Sequence, residues 1–176
     1  MEAASLSFVV RTAKELKKEF RKIETQPWTS YAYSMEIIVQ VGHLADIFLR
    51  QEYKYNPHSK NENQTRINDE VCDVILNLLF LYIELYEEVE LSKINNVEVC
   101  MSKESLFTEL ALSCAQLTRL SSTYFDSNQS KADIKNMLEY TLGLSISLAD
   151  ACNCDLISNF LRIKSESQIY IEKKSN

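Results

Sequence analysis

The stretch SMEIIVQVGHLAD, residues 34–46, decides the fold. Ile37, Val41, Leu44 and Phe48 recur at i, i+4, i+7 and i+11, which is one apolar stripe along an amphipathic helix. Glu36, Gln40 and His43 lie beside that stripe, again at helical spacing. An acid, an amide and an imidazole in one row along a core edge have two readings. They are an exposed shoulder, or they are what remains of a site that once held more acid.

The helical period extends outward in both directions. Six helices are predicted, over about 5–24, 29–52, 66–90, 103–122, 130–152 and 155–172. Ser102 reads as the N-cap of the fourth, with Ser105 rather than Glu at N3; Ser130 reads as the N-cap of the fifth. Between the second and third helices lies a polar loop, EYKYNPHSKNENQTR. Its interleaved aromatic and basic residues suit an exposed segment able to close over a ligand. Only two Gly and two Pro occur among 176 residues, which argues against a many-turned β protein. There is no Gly-x-Gly pair, so a Gly-rich phosphate cradle is excluded. The fold class expected is all-α, a helical bundle.

Apolar residues make up 45% of the chain, enough for a packed core, and the net charge of −6 leaves no basic face for nucleic acid. The five Cys are an odd number inside helical patterns and form no C-x-x-C pair. Buried thiols in a reducing compartment are therefore expected, with no zinc or disulfide framework. The N-terminal run LSFVV is short and precedes its basic residues, unlike a secretory signal. No segment reaches the ~20 apolar residues of a membrane span, ILNLLFLYIELY coming closest. A soluble, cytoplasmic protein is the expectation.

The two halves of the chain echo each other. EIIVQVGHL (36–44) overlays ELALSCAQL (109–117), with Glu36 on Glu109, His43 on Gln116 and Leu44 on Leu117. DVILNLLFLYIELYEEV (73–89) overlays YTLGLSISLADACNCDL (140–156) with its apolar positions in phase. Two units are expected, 1–96 and 97–176, packed as one compact body.

Chemistry enters with NDEVCDVILNL, residues 68–78. Glu70, Asp73 and Asn77 project from one face of the third helix. Two carboxylates at i, i+3 beside an apolar run can hold a hard divalent cation, or can be ordinary first-turn acids favoured by the helix dipole. The order PW, then QVGHLAD, a polar loop, then EVCDVILNL resembles the all-α nucleoside triphosphate pyrophosphatases. That is the MazG-like superfamily, with its dCTP pyrophosphatase and dimeric dUTPase relatives. Family members carry a pattern such as E-E-V-G-E-L-A on the second helix and E-x-x-D-V on the third. The resemblance covers about residues 5–95, with a weaker echo in LADACNCDL and NFLRIKSES. It implies two MazG-like units in tandem, the second lacking the leading helix. It also implies an internal pseudo-dimer in place of the family's two-subunit four-helix bundle, with a homo-oligomer as a further expectation.

What the resemblance implies for chemistry is a Mg²⁺- or Mn²⁺-dependent cleavage of a nucleoside triphosphate to a monophosphate and pyrophosphate. Glu70 and Asp73 match the third-helix acids and would be catalytic as metal ligands. The second-helix acids fall on Val39, Gln40 and His43, so all three are absent. Gln40 still offers a carbonyl oxygen, and His43 offers a nitrogen that suits Mn²⁺ better than Mg²⁺. Glu36 would complete the shell. Asn77, Trp28, Lys93 and Asn96 are the nucleotide contacts implied, with Lys164 as a counterpart of Lys93 in the second unit. There the family's acids fall on Leu112, Ser113, Gln116, Met137 and Tyr140, and a shifted register would offer Asp133 and Asn136.

Two functions compete. One is a divergent, slow pyrophosphohydrolase working at Glu70 and Asp73. The other is a catalytically inactive MazG-like scaffold that binds a nucleotide or a protein. Nucleophilic Ser or Cys catalysis finds no support, since the chain has two His and no nucleophile elbow.

Overall fold

The computed structural model describes residues 3–52, 60–94, 101–123 and 128–175, with side chains over 5–50, 64–94, 101–121 and 131–174. Six α-helices follow one another: α1 (Ala3–Phe20), α2 (Ser30–Glu52), α3 (Lys60–Tyr86), α4 (Lys103–Thr123), α5 (Asn128–Ala151) and α6 (Leu156–Ser175). A single 3₁₀ turn, Leu91–Lys93, follows α3, and no strand occurs among the described residues. The all-α bundle expected from the helical period is the fold found.

Local chemistry sets most of the ends. Thr29 Oγ1 accepts from Ala32 N at 3.2 Å and opens α2. Ser102 Oγ accepts from Ser105 N at 3.2 Å and opens α4, as its sequence predicts. Asp155 caps α6 through Ser158 N at 3.2 Å. Glu87 and Asn153 take positive φ, 60° and 55°, and turn the chain out of α3 and α5. Several boundaries depart from expectation, among them the end of α3 at Tyr86 rather than about 90. Helix α1 stops at Phe20, four residues before Glu24. Helix α5 begins at Asn128, so Ser130 lies inside it rather than capping it. Helix α3 begins at Lys60, so the second part of the polar loop is helical. Its acids and amides alternate with good helix formers, and propagation from the long apolar run extends the helix backward. Residues 53–59, with most of the interleaved aromatic and basic segment, lie outside the described residues.

Helices α2, α3, α5 and α4 close into an antiparallel ring, α2 against α3, α3 against α5, α5 against α4 and α4 against α2. Phe48 meets Phe107 at 5.1 Å and Thr118 Oγ1 donates to Ser34 O at 3.1 Å across the α2–α4 seam. Tyr82 donates to the buried Glu139 at 2.8 Å across the α3–α5 seam. Overlaying residue 36 on residue 109 carries Ser34 onto Phe107 and Phe48 onto Ser121, so the two α2–α4 contacts nearly exchange. A twofold relating the halves would produce this pairing. Helix α1 packs along α3 outside the ring, and α6 runs along both. The core is continuous, from Val9 and Leu16 of α1 through Leu44, Leu78 and Leu81 to Leu142 and Phe160.

One described helix, α2 over Ser30–Arg50, is long and apolar enough by length and composition to cross a membrane. No such segment is expected from the sequence, so this is a correction. The buried part of that span, 33% of it, includes Ile37, Val41, Leu44 and Ile47, which form its share of the bundle core.

Candidate functional site

The row that opened the sequence faces α3. His43 Nδ1 lies 3.5 Å from Glu70 Oε2, and Glu36 sits close enough to Asp73 for the two charges to interact. Gln40 Nε2 donates to Glu36 Oε1 at 2.6 Å, so the amide and the acid are locked together along α2. On α3, Asn77 Nδ2 donates to the Asp73 carbonyl at 2.9 Å. The antiparallel pairing of α2 and α3 thus sets Glu36, Gln40 and His43 opposite Asn77, Asp73 and Glu70.

Electrostatics mark the face as overcharged. Burial, then the neighbouring Glu70 and Asp69 carboxylates, push the Asp73 carboxyl up to about 7. Burial raises Glu70 as well, against the pull of His43 and Arg66. Glu70 Oε2 is sealed from solvent and makes no well-formed hydrogen bond, with His43 Nδ1 at 3.5 Å as its ion-pair neighbour. A buried carboxylate oxygen so weakly paired costs free energy, which a bound cation would relieve. Asp69, raised by burial, pairs with Arg162 of α6.

The donors present are carboxylate and amide oxygens, which suit Mg²⁺ or Mn²⁺. Among the described residues no three His, Cys, Asp or Glu converge as a ready metal cage. A hard cation here would have Glu70 and Asp73 as its protein anchors and keep water for much of its shell, as Mg²⁺ commonly does. His43, 57% exposed, stands at the rim.

Beside this face opens a cavity of about 430 Å³. Its walls are aromatic: Phe20, Trp28, Tyr33, Phe80 and Tyr170. Trp28 and Tyr33 centroids are 5.4 Å apart, and Tyr33 and Phe80 meet edge to face at 5.9 Å. Glu36 and Asn77 belong to this cavity and to the acid face at once. Lys17 lies in its wall, almost wholly buried. Its ammonium sits 3.7 Å over the Tyr33 ring, donates to Phe80 O at 3.1 Å and pairs with Glu84 at 2.9 Å. Burial lowers its affinity for the proton, offset by Glu84.

No family model, no curated protein and no solved structure matches the chain.

The sequence-derived residues divide. Glu36, Gln40, His43, Glu70, Asp73 and Asn77 come together on facing helices. Trp28, 41% exposed, lines the cavity rather than plugging the core. Lys93 does not join them. It pairs with Glu90 at 3.0 Å beyond the far end of α3, roughly 24 Å of helix from Glu70 to Tyr86. Asn96 lies outside the described residues. Lys164 pairs with Glu15 at 2.6 Å between α6 and α1. In the second half, Gln116, Asp133, Asn136, Met137 and Tyr140 share one cavity of about 380 Å³, so both registers considered there lead to the same place. Its one carboxylate is Asp133.

Lys17, Tyr33, Phe80 and Tyr170 were not singled out by the sequence. Lys17 had a signal, since it falls four residues after Ala13 on the core side of α1. Tyr33 sits one turn before Glu36. Tyr170 had none, because its place depends on how α6 lies along α1.

Proposed function

We propose that the protein is a divergent nucleoside triphosphate pyrophosphohydrolase of slow turnover, acting in the cytoplasm. The observation that carries this reading is the sharing of Glu36 and Asn77 between an aromatic cavity and a carboxylate face. A base needs flat apolar walls; a triphosphate needs a cation held by oxygen ligands. The cavity is within the size range of small-molecule sites, roughly 300–1,000 Å³. Trp28, exposed at the cavity and backed by the buried Tyr33, would stack a base, and Asn77 or Glu36 would meet its polar edge. A bound Mg²⁺ or Mn²⁺ on Glu70 and Asp73 would supply charge neutralisation and an acidified water. Asp73, its carboxyl pushed up to about 7, would in its ionised form accept a proton from a water at the face. Gln40 fixes the rotamer of Glu36. Lys17 places one positive charge in the wall of an otherwise acidic region.

A second reading is a nucleotide-binding scaffold without turnover. It is favoured by the absent second-helix acids and by the lack of three convergent ligands among the described residues. Pyrophosphate release from a panel of deoxynucleoside triphosphates, with Mg²⁺ or Mn²⁺, separates the two. Slow release that is lost in Glu70→Gln is the expected result. Nucleotide binding abolished by Trp28→Ala, with no release at all, would support the scaffold. Vigorous release unaffected by Glu70→Gln would remove both from this site.

A further inference from the structure

The turn between α5 and α6 brings a second thiol against α3. Cys154 Sγ lies 3.7 Å from Cys72 Sγ across 82 residues of sequence. Cys72 is fully buried, while Cys154 keeps 8% of its surface exposed. Among the described residues this is the one thiol pair in contact.

The surroundings hold the two sulfurs in place and make them unequal. Asn159 Nδ2 donates toward Cys154 Sγ at 3.7 Å, and Cys154 Sγ is 3.9 Å from Asn68 O. Gln64 Nε2 donates to Cys152 O at 2.7 Å, and Arg162 pairs with Asp69. The turn itself is closed by Cys154 N donating to Ala149 O at 2.9 Å. Both sides of the pair are thus fastened to each other by polar contacts, on α3 and on the turn. Cys154 has the exposure and the amide donor; Cys72 has neither. Closing a contact of 3.7 Å to a disulfide of about 2.0 Å moves the sulfurs by roughly 1.7 Å, within reach of side-chain rotation and a small helix adjustment.

We infer that Cys72 and Cys154 form a reversible disulfide when the protein meets a hydroperoxide. Cys154, as thiolate, attacks one peroxide oxygen. The S–O bond forms, the O–O bond breaks, and hydroxide leaves to become water with the proton lost from Cys154. Cys72 sulfur then attacks the Cys154 sulfenic acid. The S–S bond forms, the S–O bond breaks, and the departing hydroxide takes the Cys72 proton as a second water. Two thiols are oxidised by two electrons and one peroxide is reduced to two waters. Any thiol reductant reverses the link by exchange. The bond would clamp the α5–α6 turn onto α3 between Glu70 and Asp73. This inference is independent of the nucleotide reading.

The experiment treats the natural chain with hydrogen peroxide, alkylates the remaining thiols and maps the peptides by mass without reduction. A cross-linked peptide pair holding Cys72 and Cys154, lighter by two hydrogens and separated by dithiothreitol, is expected. The unfolding midpoint of the oxidised chain should rise by roughly 5–15 °C, since a long loop is closed. Cys154→Ser should remove the link and Cys152→Ser should keep it. Alkylation of all five cysteines after peroxide would overturn the inference. So would a Cys152–Cys72 link, or a Cys154 sulfinic acid beside an alkylated Cys72. The mapping on the natural chain decides the matter even where a variant fails to fold.

Discussion

Asp73 carries the strain of the site. Burial, then the Glu70 and Asp69 carboxylates, push its carboxyl up to about 7 in the folded chain, against about 4 for a free side chain. The folded state therefore holds this proton more tightly than the unfolded state. Stability from that source is complete below pH ~4 and is lost as pH rises through ~7. Asp73→Asn should be close to neutral at pH 4 and stabilising by on the order of 2–4 kcal/mol at pH 8, where the natural residue is charged. Urea unfolding at both pH values measures this; an equal effect at the two would remove the buried charge as its cause. The same reasoning explains the direction of a repair. Gln40→Glu with His43→Glu adds two carboxylates to a face whose charge only a cation can offset. That variant should be less stable without metal, and Mg²⁺ should restore stability and raise pyrophosphate release. Unchanged melting with and without Mg²⁺ would mean that no cation site forms. Glu70 and Asp73 were legible as a pair from their i, i+3 spacing. Their partner Asp69 was not, because its pairing with Arg162 depends on a helix far away in sequence.

Helix α2 contains an opening for a simple gain. Gly42 lies in its interior, and a Cβ added there would meet nothing within 4 Å. Gly42→Ala should raise stability by about 1 kcal/mol through backbone entropy alone. Chemical denaturation reads this directly, and a loss of stability would show that the surface at Gly42 is covered in solution. The variant is also informative about function, since Gly42 is next to His43. Helix identities were legible because apolar residues repeat at 3.6-residue spacing through nearly the whole chain. Helix ends were less so. The cap at Ser102 follows from a local side chain to backbone bond, and the sequence shows it. The backward extension of α3 to Lys60 and the start of α5 at Asn128 depend on cooperativity, which no single residue signals.

For the molecule as a whole, the ring of α2, α3, α5 and α4 makes the two halves interdependent. Each half has seams completed only by the other, through Phe48–Phe107, Thr118–Ser34 and Tyr82–Glu139. Fragments 1–96 and 97–176 should each lack a cooperative melt alone and recover helix when mixed, while the full chain shows one transition. Circular dichroism with heating checks this. A fragment that melts cooperatively as a monomer would show independent domains. The echo between the halves made the ring thinkable from sequence. The positions of α1 and α6 were not legible, because their apolar stripes say that they pack but not on what.

The cavity wall draws on α1, α3 and α6 together, and these helices are synthesised far apart in time. Leu6, Val9, Val10, Ala13 and Leu16 form the stripe of α1 that ends up buried. They leave the ribosome before α3 and α6, the helices they pack against. The ring can close once α5 has emerged, yet Tyr170 reaches the cavity only after most of α6 follows. A growing chain therefore passes through a stage with a formed ring and an unfinished pocket, when α1 is a natural client for a chaperone. The aromatic cavity is therefore completed later than the ring it lies beside.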